Sequence, residues 1–255
     1  MTRKPFICGN WKLNHGLVET QAVLRAMAAE ASTYSSVELA IAPVTPLLAA
    51  AAQVLQGSAL GLAAQNVHHQ DKGAFTGEWA CHHLSELNVG YAIVGHSERR
   101  QYFGETSAAV GQKVRACLDN NLVPIACIGE SLQEREAGQI WDVLKNQMDP
   151  ITAAVQPDEA HRLVVAYEPV WAIGTGKTAS AAQAQEVHAQ LRSWLAGAFG
   201  EDVAERVRLQ YGGSVKPSNA LELLSEKDVD GALVGGASLQ ADTFLGIAAA
   251  AFELA

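Results

Sequence analysis

Two kinds of apolar pattern alternate along the chain. Short runs rich in β-branched and small apolar residues stand at 5–11, 37–42, 59–64, 90–94, 122–127, 163–167, 206–211 and 230–234, and each is followed by a longer amphipathic or alanine-rich stretch. Several short runs lack apolar/polar alternation, the pattern of strands covered on both faces. The longer stretches predict helices over 17–31, 44–56, 79–88, 105–120, 131–155 in two pieces, 179–199, 217–225 and 238–253. Thr45-Pro46, Ser180 and Lys216-Pro217 supply helix start signals. Repeated strand–helix units of this number predict an α/β fold, a (β/α)8 barrel, and no linker-like tract divides 1–255 into more than a single domain. An open doubly wound sheet binding a dinucleotide would want G-x-G-x-x-G after the first strand, and Cys8-Gly9-Asn10-Trp11-Lys12-Leu13 does not supply it.

Composition narrows the classes. A chain of 255 residues that is 49% hydrophobic can bury a large core, which excludes disorder for its bulk. The net charge of -9 argues against nucleic-acid binding through a broad basic surface, while an anionic substrate needs only a local cluster of donors. Cys8, Cys81, Cys117 and Cys127 form no CxxC pair, so free thiols in a reducing compartment are expected. The N-terminal apolar stretch is broken by Gly9, Asn10 and Lys12, and no apolar run has the roughly 18 to 20 residues of a membrane span. A cytoplasmic location is expected.

In such a barrel the site lies at the C-terminal ends of the strands. Asn10 and Lys12 end the first strand, His96 follows the fourth, and Glu168 follows the sixth. Gly212-Gly213-Ser214 follows the seventh and Gly235-Gly236 the eighth, where backbone N–H groups can meet phosphate. Each feature alone has an ordinary explanation: a surface carboxylate, a core imidazole, a solvated lysine, a turn. Together at one rim they point to a base, a hydrogen-bond donor, a fixed positive charge and a phosphate cradle, hence to a small phosphorylated metabolite.

Two motifs are set aside. Gly174-Thr175-Gly176-Lys177-Thr178 ends like a nucleotide P-loop, but the first glycine of that motif would fall on Trp171. His68-His69 and His82-His83 are adjacent pairs without a carboxylate at metal-ligand spacing, so no metal is expected.

The ordered series Gly9-Asn10-Trp11-Lys12-Leu13-Asn14, Ala64-Gln65-Asn66-Val67, Gly73-Ala74-Phe75-Thr76-Gly77-Glu78, Gly95-His96-Ser97-Glu98-Arg99-Arg100, Cys127-Ile128-Gly129-Glu130, Ala166-Tyr167-Glu168-Pro169 continuing to Thr178, Tyr211-Gly212-Gly213-Ser214-Val215 and Gly235-Gly236-Ala237-Ser238-Leu239 closely resembles the triosephosphate isomerase family over nearly the whole chain. The resemblance implies a single-domain (β/α)8 TIM barrel that interconverts dihydroxyacetone phosphate and D-glyceraldehyde 3-phosphate through an enediol(ate), in glycolysis and gluconeogenesis. It implies Glu168 as the base, His96 as a neutral electrophile at the start of a short helical turn, Lys12 as the cation and Asn10 as an added hydrogen-bond donor. Trp11, Gly174, Ser214, Gly235 and Gly236 are expected at the substrate and its phosphate, with Glu98 beside Lys12. The stretch Val170 to Thr178 is expected to be a lid, and the long loop 65–80 an arm that docks into a second subunit of a homodimer, carrying Thr76 to the partner's site. No metal or organic cofactor is implied. His15 departs from the family, which often runs from Asn straight to Gly, and is expected to alter only the subunit contact. Two other readings stay open: a Schiff-base aldolase, which needs Lys12 deprotonated, and a noncatalytic phosphometabolite-binding barrel.

Overall fold

A computed structural model describes residues 3–173 and 179–255. Eight parallel strands, β1 (Phe6–Asn10), β2 (Glu38–Ala42), β3 (Leu60–Ala64), β4 (Tyr91–Val94), β5 (Val123–Ile128), β6 (Val164–Tyr167), β7 (Arg208–Tyr211) and β8 (Gly231–Val234), pair in sequence order and close between β8 and β1. Each of the eight sequence-predicted strands is present.

Burial on both faces explains the near-continuous apolar runs. One face of each strand points into the barrel, where Phe6, Cys8, Ala40, Ala63, Ile93, Ile125, Cys127, Val164, Ala166 and Leu233 belong to one cluster. The alternate residues, among them Ile7, Leu39, Ile41, Leu62, Val94, Val165 and Leu209, join the second cluster under the surrounding helices. The bottom of the barrel is closed by a polar group that the sequence did not announce. Glu38 accepts from the Tyr91 hydroxyl at 2.9 Å and pairs with Arg208 at 2.8 Å, and the Arg208 guanidinium lies 5.0 Å from the Phe6 ring centre.

The helices depart from expectation mainly at their ends. The stretch expected at 44–56 begins as a 3-10 turn, Thr45–Leu47, before the helix Leu48–Val54. The stretch at 79–88 shrinks to Cys81–Ser85. What read as the start of a helical turn after β4 is a full helix, Ser97–Phe103, which precedes the expected helix Ser107–Asp119. It ends at Gly104, where φ is 65° and glycine carries no strain. A short helix Glu201–Ala204 is also added. Among the described residues, no helix is long and apolar enough to cross a membrane.

Candidate active site

The inward alternation that packs the barrel also builds the site. On β1, positions 6 and 8 are core and the next inward position is Asn10; after β6, positions 164 and 166 are followed by Glu168. The corresponding steps beyond Leu233 and Gln210 reach Gly235 and Gly212. On β4 the rhythm is broken at Gly95, whose φ is 72°, and the shift turns the next residue, His96, toward the axis. Arg100 holds this bend: its guanidinium donates to Gly95 O at 2.8 Å, Cys127 O at 3.1 Å and Ser107 Oγ at 3.0 Å.

Asn10, His96, Glu168, Gly212 and Gly235 line a cavity of about 780 Å³ at the C-terminal end of the barrel, together with Lys12, Ile173, Ser214 and Gly236. Asn10, Lys12, His96, Glu168, Ser214, Gly235 and Gly236 are thus brought together in one cavity. Gly174 and the rest of the stretch to Thr178 lie outside the described residues.

Glu168 and His96 meet directly. His96 Nε2 stands 2.9 Å from Glu168 Oε1, and the other carboxylate oxygen accepts from the Ser97 backbone N–H at 2.9 Å. His96 Nδ1 accepts from the Glu98 N–H at 3.2 Å, which places the ring proton on Nε2. Burial works against the Glu168 charge, but the His96 ring and the Ser97 N–H outweigh it and hold the carboxyl below its ordinary value. Burial likewise pulls His96 down, and the carboxylate beside it more than reverses that. The Glu168 side chain lies across Gly212, where an added Cβ would come within 2.8 Å of Cγ, so a glycine at 212 makes room for the base.

Lys12 is held in an uncommon conformation. Its φ of 50° lies in the left-handed region, which costs a non-glycine residue roughly 1–3 kcal/mol. Asn10 Oδ1 accepts from its N–H at 3.1 Å, while Gln65 Nε2 donates to its carbonyl at 2.8 Å and to Ala42 O at 2.9 Å. Nζ lies 2.6 Å from Glu98 Oε1, as the resemblance implied. Gln65 went unassigned in the sequence because its partners are far along the chain.

Trp11 was expected at the substrate, and its side chain lies elsewhere. Its side chain is fully buried and its indole donates to Ser238 O at 2.8 Å, behind the turn after β8 and not in the substrate cavity. The parity of β1 carries the reason, since residues 6, 8 and 10 face inward and 11 faces the helices. Thr76 lies in the exposed stretch 71–78 and is not part of this chain's cavity.

Glu130 is the other residue the sequence left without a role. Its buried carboxylate accepts from Trp171 Nε1 at 2.9 Å and the Tyr167 hydroxyl at 3.1 Å, and pairs with Arg135 at 2.9 Å. It therefore anchors the turn Val170–Ala172 that leads away from Glu168. The available signal was a carboxylate just beyond β5, as Glu168 stands just beyond β6. Among the described residues no group of three His, Cys, Asp or Glu is placed to hold a metal ion.

A sequence model of triosephosphate isomerase matches residues 5–251. This chain belongs to the triosephosphate isomerase family. Relatives of that name include the protein of Alkaliphilus metalliredigens, 49% identical over 245 residues, which are 96% of this chain and 98% of the relative. The Prosthecochloris aestuarii protein is 49% identical over 250 residues, 98% of each chain. That of Herpetosiphon aurantiacus is 46% identical over 245 residues, again 96% of this chain and 98% of the relative. The triosephosphate isomerase pattern spans every strand of the barrel.

Proposed function

We propose that the chain interconverts dihydroxyacetone phosphate and D-glyceraldehyde 3-phosphate by proton transfer through an enediol(ate), with Glu168 as the base and His96 as the electrophile. The observation that carries the role assignment is the 2.9 Å contact between His96 Nε2 and Glu168 Oε1 in a cavity that also holds Lys12. A base and a proton donor that touch when the site is at rest can address adjacent atoms of a substrate that comes between them.

On binding, the carboxylate leaves the Ser97 N–H and the imidazole to reach a C–H bond. It then loses the interactions that stabilised its charge, and its basicity rises. With Glu168 gone from His96, burial and the nearby Lys12 charge favour the neutral ring against the Glu98 carboxylate, and the Glu98 N–H on Nδ1 keeps the proton on Nε2. Neutral His96 donates that proton to the substrate oxygens, while Lys12 and Asn10 stabilise the negative charge that develops there. Phosphate is held by backbone donors around Ser214, Gly235 and Gly236. No cofactor takes part.

The segment from Val170 toward Thr178 is proposed as a lid that excludes water and so protects the enediolate from losing phosphate. The anchoring of Val170–Ala172 through Trp171 to Glu130, and Ile173 on the cavity wall, support this. Shortening 172–175 is expected to raise phosphate elimination relative to isomerisation.

We further propose a homodimer. Leu13, Tyr102 and Phe103 are 93%, 69% and 69% exposed, and Phe75 projects from the exposed arm 71–78. Such large apolar residues, exposed in the single chain, suit burial against a second copy, with Thr76 reaching the partner's site. The cytoplasm is the proposed compartment, in keeping with four buried free thiols.

A coupled assay from glyceraldehyde 3-phosphate, run on the wild type and on Glu168→Gln, tests the reaction and the base together. Fast wild-type turnover with a loss of several orders of magnitude in the variant is expected; a variant that still turns over well overturns the assignment. The aldolase alternative needs a free amine, whereas Lys12 Nζ is engaged by Glu98 at 2.6 Å. Borohydride trapping would detect it.

A further inference from the structure

We infer that His15 is a positioning residue, fixing the turn after β8 against Lys12 and so setting the geometry of the phosphate end of the site. The inference rests on the reading of Lys12, Gly235 and Gly236 as that end. His15 has φ 65°, in the left-handed region that few non-glycine residues occupy, and its side chain is only 11% exposed and packs on its own chain. Nε2 faces Leu239 O at 3.1 Å, and since a carbonyl only accepts, this nitrogen carries the hydrogen. The ring stands edge-on to Trp11, with centroids 4.7 Å apart and planes at 79°. Trp11 in turn donates to Ser238 O.

Two consecutive carbonyls, at Ser238 and Leu239, are therefore gripped from the loop that carries Lys12. They end the 3-10 turn Gly236–Leu239, whose first residues line the substrate cavity. The grip matters because the Lys12 stem rests on this turn: a Cβ added to Gly235 would lie 3.7 Å from Lys12 Cε. Asn14 does not duplicate the link, since its amide is turned back to Trp11 O at 2.7 Å. On the other side of the ring, Glu19 Oε2 lies 3.5 Å from Nδ1 and accepts from the Gly16 N–H at 3.2 Å. His15 thus acts inside its own subunit, unlike the subunit-contact role expected from its place in the sequence.

A modest loosening of the phosphate end leaves the phosphate bound at saturation, so it weakens binding more than turnover, unlike removal of the phosphate itself. His15→Gly keeps the left-handed backbone without strain and removes both contacts, and His15→Gln restores an N–H donor. In His15→Gly the KM for glyceraldehyde 3-phosphate and the competitive inhibition constant of inorganic phosphate are expected to rise together by about 3- to 10-fold, the worth of one hydrogen bond and a ring contact. Turnover should stay within about twofold, the sedimentation coefficient should not change, and His15→Gln should recover most of the loss. Should His15→Gly fail to fold, His15→Asn, which tolerates the same backbone and is too short to span to Leu239, replaces it. Unchanged constants for both ligands overturn the inference. So does a loss that disappears as protein concentration is raised, which would assign His15 to subunit contact, or one that His15→Gln leaves untouched. A wild-type protein that binds phosphate by direct titration but isomerises nothing would refute the proposed reaction instead, and phosphate titration of the variants would still decide the role of His15.

Discussion

Shortening the base by one methylene is the most searching perturbation of the proposed chemistry. In Glu168→Asp the carboxylate retreats by about one C–C bond, roughly 1.5 Å. The backbone cannot advance to compensate. Glu168 N donates to Ile128 O at 2.7 Å, and its carbonyl oxygen is so close to Gly129 that an added Cβ there would come within 1.8 Å. Proton abstraction needs reacting atoms about 3–3.5 Å apart, and a misplacement of about 1 Å costs on the order of 100-fold. The variant should therefore lose about 100- to 1000-fold in kcat, or about 3–4 kcal/mol of barrier. KM should stay within about threefold, because the phosphate contacts are made by other residues. The coupled assay in both directions gives both constants, and incorporation of solvent deuterium into unreacted substrate reports proton abstraction separately. A kcat within about tenfold of wild type would refute the claim that ångström-level placement of this carboxylate governs the reaction.

Lys12→Met removes the cation beside Gly235 and should raise KM and lower kcat together, by about 100-fold in the latter; an effect on KM alone would exclude a role in stabilising the enediolate. Tyr102→Glu places a charge on an apolar surface that is 69% exposed in the single chain, and sedimentation velocity should show a shift toward monomer; an unchanged sedimentation coefficient counts against that face as the subunit contact. His188 is fully buried, and burial lowers its imidazole from 6.5 to about 4. The unfolded chain then binds the extra proton below pH 6.5, so stability falls as pH drops from 6.5 toward 4, by roughly 3 kcal/mol in all. His188→Gln should flatten denaturation free energies over that window, and equal slopes in variant and wild type would contradict the linkage.

The strands were legible because each is buried on both faces, and such runs stand out against the amphipathic stretches between them. Helix ends were less so: Ser97–Phe103 has no buried residue, so no apolar stripe marked it beyond its first turn. Asn10, His96 and Glu168 could be read because polar groups at strand ends have no place in a barrel core. Residues that hold them in place were harder to read. Gln65, Arg100 and Glu130 act through hydrogen bonds to carbonyls or side chains on other strands and loops, and a linear pattern carries no trace of such pairings. Trp11 is different, since the alternation on β1 already directs it outward; its neighbours in the motif made it look like part of the cavity. His15 was legible only as a departure, and its link to Leu239 spans the whole barrel closure.

The resting contact between base and electrophile has an energetic consequence for the substrate. Glu168 makes two hydrogen bonds, to His96 and Ser97, and both must break before the carboxylate can reach carbon. Hydrogen bonds to a charged group are worth about 1.5–3 kcal/mol each, so about 3–6 kcal/mol has to come from elsewhere in the complex. The reacting carbons offer few groups to bind, whereas in the proposed complex the phosphate meets Lys12 and the turns at Ser214 and Gly235–Gly236. Interactions at this remote end must then drive the displacement of the base, and they should be visible in kcat as well as in KM. Glyceraldehyde, which lacks the phosphate, is expected to turn over about 100- to 10,000-fold more slowly at saturation than glyceraldehyde 3-phosphate. Comparable kcat values with a difference confined to KM would mean that Glu168 leaves His96 without help from the phosphate, and that the resting pair is no barrier to the reaction.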